Sequence, residues 1–499
     1  MRRLVPSVVV VLLAVAGLAA RAEESKPLSL MQAIERAMTG NPDLRRERVA
    51  IAKAAARQIE VAGQFDFRLS SQLGIQHDVV PALPAVRCGP SDCEDLSAGK
   101  TTNTSFGLGL SRQLETGGSL GLVGTTGQSK ASLSDPNLLG GTIYQSNLAL
   151  VFTHPLLRGL GTEVTLANVR KARIEKDMAE LNRQMRACNV VRDVAIAYWE
   201  LAYATQELTI RRSAVELAQD QLRMTTAMIG VGRLADADAA SVERAIAQTE
   251  EELATGEQEL YFRSLDLHAL FGVPVRASLP LLAATDAPPA NPTAFDEGAE
   301  IARALAANPQ LRALQRGVEL SEEDLAVAKN TLRPRLDLTA KIGPVGRSEG
   351  LADSLHNAAG FGDMAWSAGL TFELPLQNRT TRGQMLAADE GLGLSRVNAE
   401  AFAIKIRDLV LRASRSIRTA SRRVELGQRE AEFAQKNLDA ERARFQAGRA
   451  TNNDVLLRMQ ELKDAQTRLL RATVDQSESE IALSAVTADV LDRFGVVLK

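Results

Sequence analysis

One long stretch of the chain has no helix breaker, and it restricts the fold more than any other feature. Residues 162–229 hold neither glycine nor proline. A helix over this stretch is roughly 100 Å long at 1.5 Å per residue, whereas helices of globular domains average about 11–12 residues. Apolar residues recur in it at every seventh position, at Val194, Leu201, Leu208, Val215, Leu222 and Ile229. Such a repeat packs side by side with partner helices, so the stretch predicts a long coiled-coil helix.

The same ladder occurs a second time, 216 residues further along the chain. Its members are Val410, Ile417, Val424, Ala431, Leu438 and Phe445. Both ladders end at a glycine–arginine pair, at 232–233 and at 448–449. Behind each pair a second apolar set spaced by seven indicates a returning helix, over 238–270 and over 454–490. The sequence therefore predicts two copies of a long antiparallel helix hairpin.

Strands with alternating apolar and polar residues precede each long helix. The first copy has candidates at 65–76, 105–114, 120–127 and 143–152, and the second has 335–342 and 364–374, joined by a loop over 343–362. The hairpin over 105–127 adds two strands to the first copy that the second copy lacks. Because 120–127 is short and rich in Gly and Thr, we expect the four other strands to form the wall.

So few strands cannot close a barrel within one chain. Exposed strand edges are removed only when several chains pair side by side. The long hairpins need neighbours for the same reason, because their apolar faces are otherwise uncovered. The sequence thus predicts a mainly α protein with membrane β-structure, in which identical subunits form a β-barrel that continues into an α-barrel of coiled-coil hairpins.

The N-terminus has the pattern of a secretory signal peptide over residues 1–22. Arg2 and Arg3 precede an apolar run that ends in Ala-Arg-Ala at 20–22. No later segment offers about 18 uninterrupted apolar residues, so no transmembrane helix is expected. The rest divides into a first structural repeat over 23–273, a proline-rich linker over 274–292 and a second repeat over 293–499.

The chain has three cysteines and a net charge of −2. Cys88 and Cys93 flank a four-residue loop-like segment, which in a secreted protein predicts a small disulfide loop; metal binding, the alternative, lacks a second ligand pair. Cys188 lies on the long helix and is expected to be a small buried side chain. The charge gives no sign of a nucleic-acid partner.

Motifs of catalysis and of cofactor binding are missing from the sequence. No two of the four histidines are spaced to bind zinc together, and no nucleophile elbow, phosphate loop or His-Glu-x-x-His motif occurs. We expect neither an enzyme nor a cofactor. A secreted coiled-coil scaffold or adhesin without a channel remains an alternative. A conventional porin would need many more strands per chain.

The order of these features resembles the outer-membrane efflux protein family. The resemblance covers residues 28–496 and is carried by four kinds of motif. They are Leu-Ser-Leu-Met-Gln-Ala-Ile at 28–34, Asn-Pro-x-Leu at 41–44 and 308–311, Pro-Leu-Leu-Arg-Gly at 155–159, and the hairpin tips at 231–238 and 447–454. Each motif is weak alone, whereas their duplicated order is specific.

The resemblance implies a homotrimer in the outer membrane of a Gram-negative bacterium. Strands of each protomer would form one β-barrel among the outer-membrane lipids, and the hairpins would form a periplasmic tunnel. The implied partners are a periplasmic adaptor (membrane fusion) protein and an inner-membrane pump, antiporter-type or ATP-driven, in a tripartite efflux or type I secretion system. The positions that match the adaptor-contacting tips are Gly232, Arg233, Leu234, Gly448, Arg449 and Ala450.

The family also suggests an acidic gate at these tips. Asp454 matches the first of two acidic positions that narrow the entrance, whereas Leu457 occupies the second. We therefore expect a single acidic ring, with Asp236 and Asp238 at the corresponding turn of the first hairpin. The alternative is that these aspartates only cap the returning helices, where carboxylates are favoured at helix N-termini.

Overall fold

The computed structural model describes residues 26–80, 99–133, 141–274, 276, 279–289 and 296–498. The predicted signal peptide, the predicted Cys88–Cys93 disulfide and parts of the predicted linker lie outside these residues. The chain forms two compact units from interleaved segments. Met1–Arg45, Arg186–Ala307 and Ile406–Lys499 make the first unit, and Arg46–Met185 and Asn308–Lys405 make the second.

Eleven helices and eight strands make up the described part of the chain. The helices are α1 (Leu30–Gly40), α2 (Pro42–Ala62), α3 (Thr162–Thr165), α4 (Ala167–Gly230), α5 (Asp236–Leu270), α6 (Glu297–Ala307), α7 (Pro309–Thr331), α8 (Leu351–Ala359), α9 (Arg379–Gln446), α10 (Asn452–Thr487) and α11 (Val490–Arg493). The strands are β1 (Lys26–Leu28), β2 (Arg68–Val80), β3 (Gly99–Gln113), β4 (Ser119–Leu133), β5 (Thr142–Pro155), β6 (Leu282–Ala284), β7 (Arg335–Ser348) and β8 (Met364–Glu373). Among the described residues, no helix combines the length and the hydrophobicity that a membrane span requires.

The duplicated long hairpins are confirmed. α4 and α9 contain 64 and 68 residues, and α5 and α10 return over 35 and 36 residues. The seven-residue ladders face the interior: Val194 and Leu201 are fully buried, and Val410 and Ile417 are at most 2% exposed. Burial of these side chains at every second turn contributes apolar stabilisation to the hairpins.

A small parallel strand pair in the first unit anchors the N-terminal segment. β1 pairs with β6, with Leu28 opposite Ala284. Tyr198 of α4 is fully buried beside this pair. Its hydroxyl oxygen lies 3.0 Å from the carbonyl oxygen of Leu28 and 2.9 Å from Oδ2 of Asp286, and accepts the Asp286 N–H at 3.1 Å. Since β6 belongs to the predicted linker, that segment is fixed by backbone pairing.

The second unit contains one antiparallel sheet in the order β2-β3-β4-β5-β7-β8. Our expectation of four wall strands is wrong, because β3 and β4 pair over 15 residues within the same sheet. A tight turn fixes their register: the Leu114 N–H donates to the Gly118 carbonyl at 2.7 Å, and Gly117 has a φ of +100° that favours glycine. Strand length here is set by this pairing, not by the apolar content of β4.

The sheet has two distinct faces. Residues opposite each other in neighbouring strands share a face. One row across all six strands is Leu69, Leu110, Leu122, Leu150, Ile342 and Trp366. The adjacent row, on the other side, is Arg68, Ser111, Gly121, Val151, Lys341 and Ser367. We call the side of the first row the apolar face and the other side the polar face.

The predicted loop over 343–362 also differs from the structure. β7 continues to Ser348, and residues 351–359 form helix α8, which packs on the apolar face. Ser354 and Ala358, one turn apart, are its buried residues. A Cβ at Gly346 of β7 would lie 2.0 Å from the carbonyl oxygen of Ser354, so only glycine permits this approach. The helix depends on this tertiary contact, which is why local sequence did not reveal it.

Candidate functional site

The two hairpin tips have the same backbone geometry. At the first tip the Gly232 N–H donates to the Ile229 carbonyl at 2.8 Å and the Arg233 N–H to the Met228 carbonyl at 2.9 Å. At the second tip, residues 448 and 449 make the corresponding bonds to residues 445 and 444, at 2.9 and 2.8 Å. Both glycines have a φ of +74°. Each pattern is a Schellman motif, which ends a helix at a residue in the left-handed conformation that glycine adopts without strain.

Asp454 caps the returning helix of the second hairpin. Its Oδ2 accepts the Thr451 N–H at 2.9 Å and the Thr451 hydroxyl at 2.7 Å, while the Thr451 hydroxyl accepts the Asp454 N–H at 3.3 Å. This reciprocal pair is a capping box. The Thr451 N–H, then its hydroxyl and the Arg458 guanidinium lower the pKa of Asp454. The cap is therefore fully formed above the ordinary Asp pKa and is lost only as the pH falls through the lowered value.

Asp238 has the same position at the first tip. Asp238 follows Gly232 by six residues, just as Asp454 follows Gly448 by six. Its Oδ2 accepts the Ala235 N–H at 3.0 Å. Asp236 is exposed in the first turn of α5. The structure thus assigns a cap to Asp454 and Asp238, and the acidic ring stays a prediction.

The exposed tip residues surround a shared apolar cluster within the first unit. Gly232, Arg233, Gly448 and Arg449 are exposed. Leu234 and Ala450, which follow them, are partly buried against a cluster drawn from both hairpins. The cluster residues are Ala218, Ala434, Leu438, Phe445, Val455, Met459, Leu462 and Ala465. The tips of one chain are therefore held together as one body, and their contact with an adaptor stays a prediction.

Asn452 is a tip residue that sequence analysis missed. It is 4% exposed, and its Oδ1 accepts the Gln221 amide and the Thr225 hydroxyl of α4, both at 2.8 Å. Its Nδ2 donates to the Asp238 carbonyl of α5 at 3.4 Å. One buried amide therefore joins the first hairpin to the second. The available signal was a pair of polar residues, Gln221 and Thr225, one turn apart on a coiled-coil helix and both fully buried.

A second charged group lies on the helices of the first unit. Arg471 of α10 contacts Glu200 of α4 at 2.6 Å, Asp475 at 2.6 Å and Glu478 at 3.4 Å. Oε1 of Glu478 is buried and has no hydrogen-bond partner in the described chain. Burial, followed by the hydrogen bond to Glu200 and the Glu200 charge, raises the pKa of Glu478 to about 7. At neutral pH the Glu478 carboxyl is therefore protonated in a substantial fraction of the molecules.

The described residues contain no cluster of three or more His, Cys, Asp or Glu side chains that could hold a metal ion. Cys188 is a free thiol and is buried, as expected. Burial raises the pKa of this thiol to about 11, so it is protonated and unreactive at neutral pH.

Comparison with known sequences assigns the family. The outer membrane efflux protein family matches residues 119–273 and 301–489, which is more than half of the chain. The chain belongs to the outer membrane efflux protein family. The resemblance found in the sequence is thereby confirmed, and the duplicated tips are a feature of an outer membrane efflux protein.

Several solved outer-membrane proteins share the fold. CusC is 16% identical, with 92% of this chain and 91% of that chain covered and a TM-score of 0.66. VceC of Vibrio cholerae is 17% identical, with 92% and 96% covered and a TM-score of 0.65. The CmeC channel of Campylobacter jejuni is 13% identical, with 92% and 85% covered and a TM-score of 0.64. A search of curated proteins gave no match.

Removing the buried amide of Asn452 should loosen the tips of this efflux-family protein. Asn452→Ala leaves Gln221 and Thr225 without their shared acceptor, and we expect a loss of about 1–3 kcal/mol in stability. Hydrogen exchange in the first turns of α10 should accelerate by at least tenfold. Asn453→Ala, one residue on and exposed, is the matched control and should leave exchange unchanged. Equal effects of the two substitutions would contradict the assignment.

Glu478 predicts a dependence of stability on pH. Because its pKa is raised, the folded protein holds a proton that the unfolded chain releases between about pH 4.3 and 7, so this carboxyl costs stability as the pH rises through that window. Glu478→Gln should raise the thermal midpoint at pH 8 and have little effect at pH 5. The gain in the free energy of unfolding at pH 8 should be on the order of 2 kcal/mol, which is less than the full pKa difference implies because solvent screens a partly exposed carboxyl. Glu461→Gln, at a more exposed site of α10, is the control. A pH-independent effect of Glu478→Gln would contradict the raised pKa.

Proposed function

We propose that three copies of this chain form an outer-membrane channel, which receives substrates from a periplasmic adaptor and an inner-membrane pump. The family supports transport as the activity. The observation that carries the assembly is a second apolar stripe on α9. Contacts within one chain cover only one side of this helix, and an identical chain is the partner that fits the other side.

The second stripe runs along the side of α9 opposite the buried ladder. Its members are 47–64% exposed: Leu386, Leu394, Val397, Ile404, Leu411, Leu426 and Phe433. At 3.6 residues per turn they fall on one side of the helix, whereas Ile406, Val410 and Ile417 fall on the other and are buried. A helix that is apolar on opposite sides is normally covered on both. Contiguous apolar surface of this length is rare on a monomer.

The edges of the sheet point to the same assembly. β2 and β8 end the six-stranded order, and each has a neighbour on one side only. Every residue of β8 is exposed. Three copies paired edge to edge would give 18 strands, from six per chain, and barrels of about 16–18 strands enclose a water-filled channel. The apolar face would then contact lipid and the polar face would line the channel, the arrangement of outer-membrane barrels.

The tips supply the candidate entrance. In a trimer, Asp454 would occur three times around the axis, as would Asp238 and Asp236. Like charges at close range attract cations and repel one another unless they are paired. Arg233 and Arg449 are exposed cations of the same turns, and we propose that they pair with neighbouring tips and meet the adaptor. Whether the pump is an antiporter or ATP-driven follows from which adaptor binds these tips.

Charging the α9 stripe should prevent assembly. We expect native mass spectrometry of the detergent-extracted wild type to show three chains, and Val397→Glu/Ile404→Glu to show mainly single chains with intact helices, because buried unpaired carboxylates are costly. Asn398→Glu/Gln428→Glu adds the same charge at exposed positions of α9 outside the stripe and should remain trimeric. The proposed trimer would be contradicted if the wild type were monomeric or if Val397→Glu/Ile404→Glu remained trimeric.

Reconstituted channels test the gate and the channel together. The wild type should conduct weakly and be blocked by multivalent cations. Asp454→Asn keeps an acceptor for the Thr451 N–H but removes the charge, so it should lose the block while retaining the cap, and Asp454→Ala should lose both. Arg233→Ala or Arg449→Ala should raise the conductance. An unchanged block in Asp454→Asn, with the half-buried control Asp464→Asn on the same helix also unchanged, leaves Asp454 as a cap only. No conductance in any variant favours the scaffold alternative.

A further inference from the structure

A cleft of about 390 Å³ lies between α8 and the apolar face of the sheet. Its walls include Phe106, Leu108, Gly124 and Leu148 from three strands. They also include Leu355 and Phe361 from α8 and the turn after it, residues 351–361, which we call the α8 segment. Its volume falls within the range of about 300–1,000 Å³ that is typical of small-molecule sites. The cleft is therefore an apolar pocket on the side of the sheet that carries the continuous row of large apolar side chains.

The polar groups at the cleft already have partners within the protein. Ser354 Oγ lies 2.9 Å from Ser146 Oγ and 3.1 Å from the Gly346 carbonyl oxygen. Ser146 Oγ in turn lies 2.9 Å from Thr126 Oγ1. Ser354 is fully buried and Ser146 is 2% exposed. Since these hydroxyls are satisfied, the cleft offers little to a polar ligand and suits an apolar one.

The α8 segment keeps large apolar side chains at the cleft despite their exposure. Leu355 and Phe361 are 48% and 61% exposed. Phe361 has a φ of +53°, a left-handed conformation that costs a bulky L-residue roughly 1–2 kcal/mol. Asp353, His356 and Asn357 are exposed on the same short helix. An amphipathic helix with this distribution, lying flat on an apolar surface, is typical of a membrane interface.

We propose that this cleft binds one acyl chain of an outer-membrane lipid. The proposal rests on the proposed function, in which the apolar face contacts the membrane. The cleft is continuous with that face, because Phe106 and Leu108 belong to both. A lipid chain reaches it without leaving hydrocarbon, whereas a peptide would bring unpaired backbone groups into the membrane.

Filling the cleft provides the test. A Cβ at Gly124 would have its nearest contact at 3.6 Å, on Leu148 Cδ1, so a side chain fits there without a clash. Gly124→Leu places an isobutyl group in the cleft and suits a strand better than glycine. Ala368→Leu is the matched control, since Ala368 is exposed in β8 and lies opposite Ala340 on the same face, outside the cleft.

Each protein is reconstituted in vesicles of palmitoyl-oleoyl phosphatidylethanolamine and phosphatidylglycerol, extracted in mild detergent, and analysed by native mass spectrometry. We expect the wild type and Ala368→Leu to retain one phospholipid per chain, and Gly124→Leu to retain at least tenfold less while assembling and conducting normally. If the wild type conducts but retains no lipid, the lipid site is overturned and the proposed channel function is not. Equal retention in Gly124→Leu also overturns it, because the lipid is then held elsewhere. Failure of the wild type to insert or conduct overturns the proposed function and the site with it.

Discussion

The seven-residue apolar repeat is the constraint on which the rest of this structure depends. It commits α4 and α9 to stay helical over more than sixty residues and to bury one side along their length. A helix of that length must turn sharply to meet its partner, and the paired Schellman turns at Gly232 and Gly448 do so with the same hydrogen bonds. The long helices also motivate the proposed assembly of several chains. Because α9 carries apolar residues on its second side, a single copy leaves that side exposed to water.

The sheet follows a different constraint, the satisfaction of backbone groups. Six strands pair continuously, and only the outer edges of β2 and β8 lack a neighbour among the described residues. The alternation of side chains then separates an apolar face from a polar face at no further cost. Gly346 allows α8 to approach the apolar face closely, and the buried Ser354–Ser146 contact fixes it there. Within one chain, two kinds of surface therefore stay uncovered. One is the apolar side of α9, and the other is the set of backbone groups along the outer edges of β2 and β8.

The sequence predicted those features whose causes are local. The long helices, both hairpin turns and the first strands follow from periodicity and from single glycines, and the structure places them close to the expected bounds. The extent of β4 was missed because pairing with β3 and β5 determines it, and polar residues such as Gln128 and Lys130 pair as well as apolar ones. α8 and Asn452 were missed for a related reason. Each is defined by a contact with a segment more than two hundred residues away, and no local pattern encodes such a meeting.

The two interpretations of Asp454 are compatible once its ionisation is considered. A capping carboxylate accepts the Thr451 N–H best when it is charged, so the cap lowers its pKa and keeps the charge at neutral pH. The same charge is what an acidic ring requires. In the proposed trimer, the proximity of three carboxylates would favour protonation, and the hydrogen bonds of the cap would oppose that effect. In the proposed trimer, a cap residue used for a gate would hold three like charges in fixed positions, because each carboxylate is bound to the backbone of its own helix.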